Sequence, residues 1–448
     1  MHESKDKNSP PAEVSFWSAL LFWLKLGFIS FGGPAGQIAI MHQELVERRR
    51  WISEKRFLHA LNYCMLLPGP EAQQLATYLG WLMHRTWGGL VAGLLFILPS
   101  LLLLIVLSWV YIAYGDVAWV AGIFYGIKPA VTAIVFQAAY RIGKRVLNNA
   151  WLWAIAALAF IAIFVFKIPF PYIVIGAGLL GYIGGRWRPN LFQSTGHSSA
   201  KKSFGPALID DNTPTPAHAL FRWSRLLWAM VAAAALWLIP MALLWSVYGW
   251  QHQFTQMAWF FTKAALLTFG GAYAVLPYVY QGAVTHYSWL SPTQMIDGLA
   301  LGETTPGPLI MVVAFVAFVG AYMHQALGAD LQFAAGAAAA VIVTWFTFLP
   351  SFIFIFAGAP LIETTHKNIK FTAPLTAITA AVVGVIVNLA LFFAYHIIWP
   401  EGFSGELDWL SAMIALLAGV ALFRFNISVM KVIGACALIG LLAHTLIL

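Results

Sequence analysis

Long runs of apolar residues, separated by short polar stretches, dominate this chain. Most of the runs reach or exceed the ~20 residues that an α-helix needs to cross a bilayer, where backbone N–H and C=O groups must be bonded within the protein. The pattern therefore predicts an all-α polytopic membrane protein. The runs comprise residues 16–41, 53–84, 86–114, 117–140, 151–166 and 168–185, then 226–250, 254–280, 291–323, 331–362, 371–395, 409–423 and 432–448.

Composition agrees with the membrane assignment. The 448 residues are 61% hydrophobic and 9% charged, whereas soluble domains carry about 25% charged residues. The net charge of +8 comes from Lys and Arg in loops between apolar runs, where cytoplasmic loops of membrane proteins concentrate them, so we expect no nucleic-acid partner. Cys64 and Cys436 lie far apart and no metal-ligand spacing occurs, so we expect neither a metal nor a cofactor.

The two halves of the chain repeat one another when residues 25–70 are shifted by 238 positions. Identical residues occupy 12 of the 46 aligned positions and cluster in motifs, which chance similarity between apolar segments does not readily produce. The pairs that define the repeat are Lys25 with Lys263, Phe31 with Phe269, Gly32 with Gly270, Gly33 with Gly271, Trp51 with Trp289, Ser53 with Ser291, Pro68 with Pro306, Gly69 with Gly307 and Pro70 with Pro308.

Loop charges indicate that the repeats face opposite sides of the membrane. Residues 42–56 contain five Lys or Arg, whereas the equivalent residues 280–294 contain none. The excess of positive charge in cytoplasmic loops places the first loop inside and the second outside. One additional apolar run between the repeats supplies the odd crossing that inverts the second. The sequence thus predicts two homologous repeats of inverted topology.

The domain organisation follows from these features. Residues 1–185 form the first repeat, and residues 254–448 form the second, inverted repeat. Residues 186–225 are rich in Ser, Pro, Thr and basic residues, which is typical of a solvated cytoplasmic linker. Residues 226–253 provide an extra connecting transmembrane helix.

A Pro-Gly-Pro sequence interrupts an apolar run in each repeat, at residues 68–70 and 306–308. Proline breaks a helix, and the freed backbone groups are tolerated at membrane depth only where protein or a watery cavity covers them. Inverted-repeat transporters place their binding sites at such broken or re-entrant helices. A helix that restarts after a break presents N–H groups and a positive dipole end, which suit an anion. Packed kinks without a ligand are the alternative.

All six residues of the two breaks are candidate substrate-binding residues for this reason. They are Pro68, Gly69 and Pro70 in the first repeat, and Pro306, Gly307 and Pro308 in the second.

Glycine pairs and lysines recur in both repeats. Gly32-Gly33 and Gly270-Gly271 permit close backbone approach to a substrate, although small residues also serve helix packing. Lys25 and Lys263 lie within apolar runs, where a lysine either serves function or extends its amine to the membrane surface.

Acidic residues flank both breaks. Glu71 follows the first Pro-Gly-Pro directly, and Glu303 precedes the second by three residues. Carboxyl groups at membrane depth can relay protons, so both are proton-coupling candidates; ion pairing and helix capping are the alternatives. Asp297 lies at a helix end, where a solvated position at the membrane interface is expected.

These motifs together resemble the chromate transporter family. The resemblance rests on Lys-Leu-Gly-Phe-Ile-Ser-Phe-Gly-Gly-Pro at 25–34, Leu-Leu-Pro-Gly-Pro at 66–70, Thr-Phe-Gly-Gly at 268–271 and Glu-Thr-Thr-Pro-Gly-Pro at 303–308. It covers nearly the whole chain in the long, two-domain form of that family. By this resemblance the protein is expected to export chromate across the bacterial inner membrane, driven by an ion gradient, with protons as the expected coupling ion.

In this interpretation, the lysines offset the charge of the oxyanion and the backbone around the glycines donates hydrogen bonds. Chromate, or a related oxyanion such as sulfate, and membrane lipids are the expected partners, and a homo-oligomer is compatible with the sequence. The protein is not expected to be an enzyme. The alternatives are a carrier of sulfate or another oxyanion, an intramembrane enzyme acting on lipid phosphates, and a purely structural protein.

Overall fold

The computed structural model describes residues 11–31, 33–188, 191–192, 204–211, 213–365 and 372–446. These residues form sixteen α-helices and no β-strand, which confirms the predicted all-α class. The helices are α1 (Phe16–Ile29), α2 (Gly33–His42), α3 (Glu54–Cys64), α4 (Glu71–Tyr114), α5 (Ala118–Val146), α6 (Ala150–Phe164), α7 (Phe170–Trp187), α8 (Trp223–Tyr248), α9 (Gln253–Leu267), α10 (Leu276–Tyr280), α11 (Pro292–Thr304), α12 (Val312–Met323), α13 (Gln332–Thr365), α14 (Thr372–Ile398), α15 (Trp409–Phe423) and α16 (Val429–Leu446).

Short helical turns of other types join several of these helices. Such turns tighten or widen the backbone where an α-helix starts, ends or bends. The π turns are Gln43–Arg48 and Gln281–His286, and the 3₁₀ turns are Ala272–Val275, Leu309–Met311 and Ala329–Leu331.

Five stretches in the described part of the chain are long and apolar enough to cross a bilayer as helices. They lie in α4, α5, α8, α14 and the 36 residues Ala329–Thr364, which include α13. The protein is therefore a multi-pass membrane protein, as its apolar runs predict. Helix α8 differs from the other four because only 11% of its most apolar window is buried, so it lies at the periphery against α9 and α13.

The chain folds back on itself within α4. His84 has φ −134° and ψ 36°, and Arg85 has φ 57° and ψ −157°, values that no helix contains. A Cβ atom placed on Gly80 would lie 2.5 Å from the carbonyl oxygen of Gly88, although eight residues of continuous helix span ~12 Å. Residues 71–83 and 86–114 therefore pack as antiparallel arms, at the boundary that the apolar pattern predicts.

The order of elements in the first half recurs in the second. Helices α1 to α4 are followed by α5, α6 and α7, and their counterparts α9 to α13 are followed by α14, α15 and α16. Contacts between the halves are reciprocal: α5 packs against α15 and α16, while α14 packs against α6 and α7. Equivalent surfaces that exchange partners in this way are related by an approximate two-fold axis.

Small residues permit these reciprocal contacts. On α5, Gly126 faces the backbone of Cys436 and Gly440 on α16 so closely that a Cβ atom would overlap the carbonyl oxygen of Cys436. On α7, Gly181 takes the position equivalent to Gly440 and faces the backbone of α14, where an added Cβ atom would lie 2.7 Å from the carbonyl oxygen of Ala373. Close backbone approach at glycine is the usual packing mode between membrane helices.

Part of the predicted linker packs against the first repeat, although many of its described residues are exposed. Ile209 is 8% exposed and Ala219 is fully buried. The N–H of Ile209 donates to the carbonyl of Trp51 at 3.0 Å, and the N–H of Ser53 donates to the carbonyl of Ile209 at 3.1 Å. A few apolar residues of this otherwise polar segment, among them Leu208, therefore cover the end of the first repeat.

Candidate functional site

Both Pro-Gly-Pro sequences lie at the predicted breaks between helices. Residues 68–70 separate α3 from α4, and residues 306–308 separate α11 from the 3₁₀ turn before α12. Gly69 has φ +122° and Gly307 has φ +104°, a region that glycine enters without the steric penalty of a side chain. The glycine of each break thus reverses the backbone between two prolines.

The four prolines of the breaks end one helix and orient the next. Pro306, Pro308 and Pro70 are buried, whereas Pro68 is half-buried. Pro70 directly precedes α4, and Pro308 directly precedes the 3₁₀ turn Leu309–Met311, both with extended backbone. Proline has no N–H, so none of these four residues can donate a backbone hydrogen bond to an oxyanion. Their predicted part in substrate binding therefore cannot include a hydrogen bond donated by the backbone.

Each break forms an equivalent hydrogen bond to the opposite repeat. The N–H of Gly69 donates to the carbonyl of Thr268 at 2.7 Å, and the N–H of Gly307 donates to the carbonyl of Ser30 at 2.8 Å. Ser30 and Thr268 occupy equivalent positions at the ends of α1 and α9. The amides of Gly69 and Gly307 were expected to donate to an oxyanion, but here they bind carbonyls of the opposite repeat and hold the two breaks together.

Each break also packs against a Leu-Pro-Ser sequence of the opposite repeat, at residues 98–100 and 349–351. A Cβ atom on Gly69 would lie 2.5 Å from Oγ of Ser351, and one on Gly307 would lie 2.9 Å from Cβ of Ser100. This second repeated motif, with an offset of 251 residues, was missed in the sequence. The motif has only three residues, which makes it hard to recognise. Its offset differs from 238 because the loop after α12 is longer than the turn within α4.

Unpartnered polar atoms surround both breaks. Gln74 Nε2 donates to the carbonyl of Pro68 at 2.7 Å, and Gln37 Nε2 donates to the carbonyl of Gly307 at 2.5 Å. Yet within the described residues the Oε1 atoms of both glutamines and the Oγ of Ser100 are buried without a hydrogen bond. Each such atom costs about 1–3 kcal/mol unless water or a ligand bonds to it, so the breaks form a polar site in an apolar interior.

The second glycine of each pair borders open space. Gly33 has φ +71° and Gly271 has φ +98°, and a Cβ atom on either would meet no atom within 4 Å. Gly270, with φ +82°, faces Thr379, and no backbone carbonyl of the described residues accepts from the amides of Gly270 and Gly271. These glycines can therefore approach a ligand through their backbone. Gly32 lies outside the described residues.

The structure does not bring the two predicted lysines to the breaks. Lys25 lies on the exposed face of α1 that also presents Leu21 and Phe28. Lys263 is half-buried, and its Nζ lies 5.6 Å from the ring centre of Trp259, a cation–π contact. An exposed apolar stripe on a membrane helix faces lipid, so the position of Lys25 agrees with the alternative that its amine extends to the membrane surface.

The two predicted carboxylates lie beside the breaks and face one helix. Glu71 is the first residue of α4, where the helix dipole favours a negative charge. Glu303 is 8% exposed and its Oε1 accepts a hydrogen bond from the hydroxyl of Tyr273. Arg145 interacts electrostatically with Glu71, and Arg141 does so with Glu303. The arginines are one turn apart on α5, so α5 supplies positive charge to both breaks.

Two buried charged clusters were not predicted. Asp297 is 1% exposed and pairs with Lys128 Nζ at 3.5 Å, so the expectation of a solvated position was wrong: α4 and α5 cover this end of α11. At the other end of the bundle, Glu363 pairs with Arg56 at 2.7 Å and accepts from the hydroxyl of Tyr78 at 2.5 Å. The ion-pair partners lie 169 and 307 positions apart by the sequence numbering, a separation at which local sequence carries no signal.

Matched helix breaks in two repeats, joined across an approximate two-fold axis within a multi-pass bundle, define a membrane transporter. A family model described as chromate transporter matches residues 17–182 and again residues 255–441. The chain belongs to the chromate transporter family, and it is a multi-pass bacterial membrane protein.

Curated relatives share this length. The chain is 33% identical to a chromate transport protein of Pseudomonas aeruginosa over 96% of this chain and 93% of the relative. It is 31% identical to a chromate transport protein of Cupriavidus metallidurans over the same shares. A probable chromate transport protein of Synechococcus elongatus is 29% identical over 82% of this chain and 81% of its own. No solved structure matches the chain.

Proposed function

We propose that this protein is a secondary active transporter that exports chromate, a tetrahedral dianion, across the inner membrane and is driven by the proton gradient. The observation that carries the proposal is the exchange of hydrogen bonds between the two breaks, Gly69 to Thr268 and Gly307 to Ser30. These hydrogen bonds bring irregular backbone of both repeats together at one place. Transporters built from repeats have their substrate sites at such places. Membership of the chromate transporter family supports the substrate.

The repeats are proposed to be inverted, with divisions at residues 1–185, 186–225, 226–253 and 254–448. The loop charges support opposite orientation, because the basic loop of the first repeat has an uncharged equivalent in the second. Reciprocal packing of α5 and α14 supports a two-fold relation between the repeats. In this arrangement, rocking of one repeat against the other exposes a shared central site to each side in turn.

The glycine pairs are the proposed ligands of the oxyanion. The backbone of Gly270 and Gly271 supplies donors, with Gly33 at the equivalent place in the first repeat and Gly32 proposed by the same equivalence. Because the lysines lie away from the breaks, Arg141 is the better source of positive charge for the anion.

The residues of the breaks are proposed to position this site rather than to bind the anion directly. The amides of Gly69 and Gly307 are already bonded across the repeats, so they hold the breaks in place. The prolines on either side of these glycines fix the direction in which each chain leaves the break. They are Pro68 and Pro70 in the first repeat, and Pro306 and Pro308 in the second.

Proton coupling is proposed to involve Glu71 and Glu303. Each lies next to a break and faces an arginine of α5. An ionised carboxylate holds its arginine beside the break, where the arginine attracts an oxyanion, whereas protonation of the carboxylate releases the arginine from the break. Proton and oxyanion therefore occupy the site in turn, as movement in opposite directions requires. The proposal includes no enzymatic activity and no cofactor.

Radiolabelled chromate accumulation in everted membrane vesicles tests this function. We expect energy-dependent accumulation that an uncoupler abolishes, and strong loss in Glu303→Gln because the carboxyl no longer titrates. Tyr273→Phe is the matched control: it removes the hydroxyl that bonds Glu303 but retains the carboxyl, so coupling should persist.

Competing anions separate the substrates. Inhibition by excess sulfate with transport of labelled sulfate would assign a broader oxyanion carrier. Verified protein without energy-dependent chromate accumulation would refute the proposed export.

A further inference from the structure

A cavity of about 430 Å³ lies at the end of the bundle opposite to Arg141 and Arg145. Lys128, on the cavity wall, precedes Arg141 by 13 residues on α5, or ~20 Å along the helix axis. The titratable residues that line the cavity among the described residues are Tyr111, Asp116, Tyr125, Lys128, Asp297 and His444. A chamber of this size has room for several waters, which can carry protons to its wall.

Asp297 is the buried carboxylate of this wall. Its Oδ2 accepts from the hydroxyl of Tyr111 at 2.8 Å and lies 3.5 Å from Lys128 Nζ. Its Oδ1 is buried and has no hydrogen-bond partner among the described residues. A buried, ionised carboxylate is stable only when its oxygens are bonded or paired. Asp297 therefore has one satisfied oxygen and one oxygen that can accept a proton.

The charges around the cavity indicate that Asp297 is the lining group that takes up a proton. Lys128 on α5 is the single cation among the lining residues if His444 on α16 is neutral, and it faces the two carboxylates Asp116 and Asp297. Tyr125 is committed to Asp408, to which its hydroxyl donates at 2.8 Å. Of the other elements packed on α11, α12 contributes uncharged Met323, and neither α14 nor the turn 309–311 contributes a described lining residue.

We propose that Asp297 binds the coupling proton from this cavity, which opens to the outside, and that its ion pair with Lys128 holds α11 against α5 until the proton arrives. Protonation at Oδ1 neutralises Asp297 and breaks the ion pair, which releases Lys128 to the cavity and α11 from α5. Asp297 is then the proton-entry residue, distinct from Glu71 and Glu303 beside the breaks. The inference rests on the proposed proton-driven export.

Movement of α11 has a direct route to the substrate site. The same helix carries Asp297 near its start and Glu303 near its end, and the second Pro-Gly-Pro follows directly. Gly307 of that break is bonded to Ser30 of the first repeat. Release of α11 at the cavity can therefore shift the hydrogen bond that joins the two repeats. Through this movement, proton binding is linked to the change from access on one side of the membrane to access on the other.

Proteoliposomes containing the full chain and a pH-sensitive dye test the inference. In the wild type, chromate movement should drive an opposite proton movement, and an imposed pH gradient should drive chromate accumulation. Asp297→Asn should lose both signals yet retain exchange of labelled for unlabelled chromate, because exchange needs no net protonation. Asp297→Glu should restore coupling with a shifted pH profile. Asp116→Asn, an exposed carboxylate on the same cavity wall, is the matched control and should remain coupled.

The outcomes separate this inference from the proposed function. Coupled transport by both the wild type and Asp297→Asn, with the same pH profile, would overturn the role of Asp297 and leave proton-driven export intact. Absence of gradient-driven chromate movement in the wild type would overturn both. If Asp297→Asn does not fold, Lys128→Gln serves as the test. Proton-coupled transport whose pH dependence is shifted toward higher affinity for protons would support the role of the Asp297–Lys128 ion pair. An unchanged pH dependence would overturn it.

Discussion

Gly69 and Gly307 combine two constraints that a larger residue violates. Both adopt positive φ, and both lie against a serine of the opposite repeat. Positive φ costs an L-residue about 1–2 kcal/mol, and an added methyl in a filled interior costs about 1–3 kcal/mol. Gly271 has positive φ as well, but a Cβ atom there meets open space. Gly69 and Gly307 therefore differ from Gly271 in packing, although any other residue would be strained at all three positions.

Substitutions by alanine should reveal this difference. Gly69→Ala is expected to destabilise the protein by roughly 2–5 kcal/mol, because strain and overlap add. Gly271→Ala should cost about 1–2 kcal/mol from strain alone. Gly434→Ala is the control, since this helical glycine has negative φ and an open side. Thermal unfolding in detergent checks the order, and equal stability of the Gly69 and Gly271 variants would contradict it.

At the scale of elements, residues 204–211 and 213–221 are attached to the first repeat by backbone hydrogen bonds and by His218. The Nε2 of His218 donates to the carbonyl of Trp81 at 2.9 Å, which requires the proton to be on that nitrogen. Burial lowers the pKa of His218 from its usual 6.5, and the charges of Arg85 and Arg225 lower the pKa further. The attached state of the segment therefore prefers the neutral imidazole.

Attachment should consequently weaken in acid. Because the pKa is lower in the attached state, the detached state binds protons more readily below pH 6.5, and attachment is lost as pH falls through the lowered value. Trypsin cleavage at exposed Arg222 in everted vesicles measures detachment. We expect faster cleavage of the wild type as pH falls, relative to His218→Gln, which keeps a donor but does not titrate. Equal pH dependence of both proteins would exclude His218 as the cause.

Local chemistry predicted where the elements break, but not what they contact. Proline and glycine determine backbone geometry within a few residues, so the breaks at 68–70 and 306–308 could be read directly. For the apolar run 16–41, the sequence did not decide whether the helix breaks at Gly32-Gly33-Pro34, and in the structure α1 ends at Ile29 and α2 begins at Gly33. The partners of Gly69 and Asp297 come from distant segments, and only the three-dimensional fold brings them together.

At the scale of the whole molecule, the approximate two-fold relation determines which loops are equivalent. Glu47 and Thr285 lie 238 positions apart in the two π turns, and both are exposed. An axis in the plane of the membrane would place equivalent residues on opposite sides, whereas an axis along the membrane normal would place them on the same side. The orientation of one loop relative to the other thus tests inversion.

Thiol labelling distinguishes these arrangements. In a background of Cys64→Ser and Cys436→Ser, Glu47→Cys should react with a membrane-impermeant maleimide only in everted vesicles. Thr285→Cys should react in intact spheroplasts, because its loop lacks the positive charge that retains loops in the cytoplasm. Labelling of both positions from the same side would contradict inverted topology.

The exchange of partners between α5 and α14 has a consequence for how the protein is made. Gly126 is synthesised about three hundred residues before Gly440, its neighbour on α16. Until the final helix leaves the ribosome, the glycine face of α5 has no partner, and contacts formed late between distant segments leave a nascent chain exposed to misassembly and degradation. Premature termination within the last helix would therefore leave the first half of the protein incompletely assembled, although every residue of that half is present.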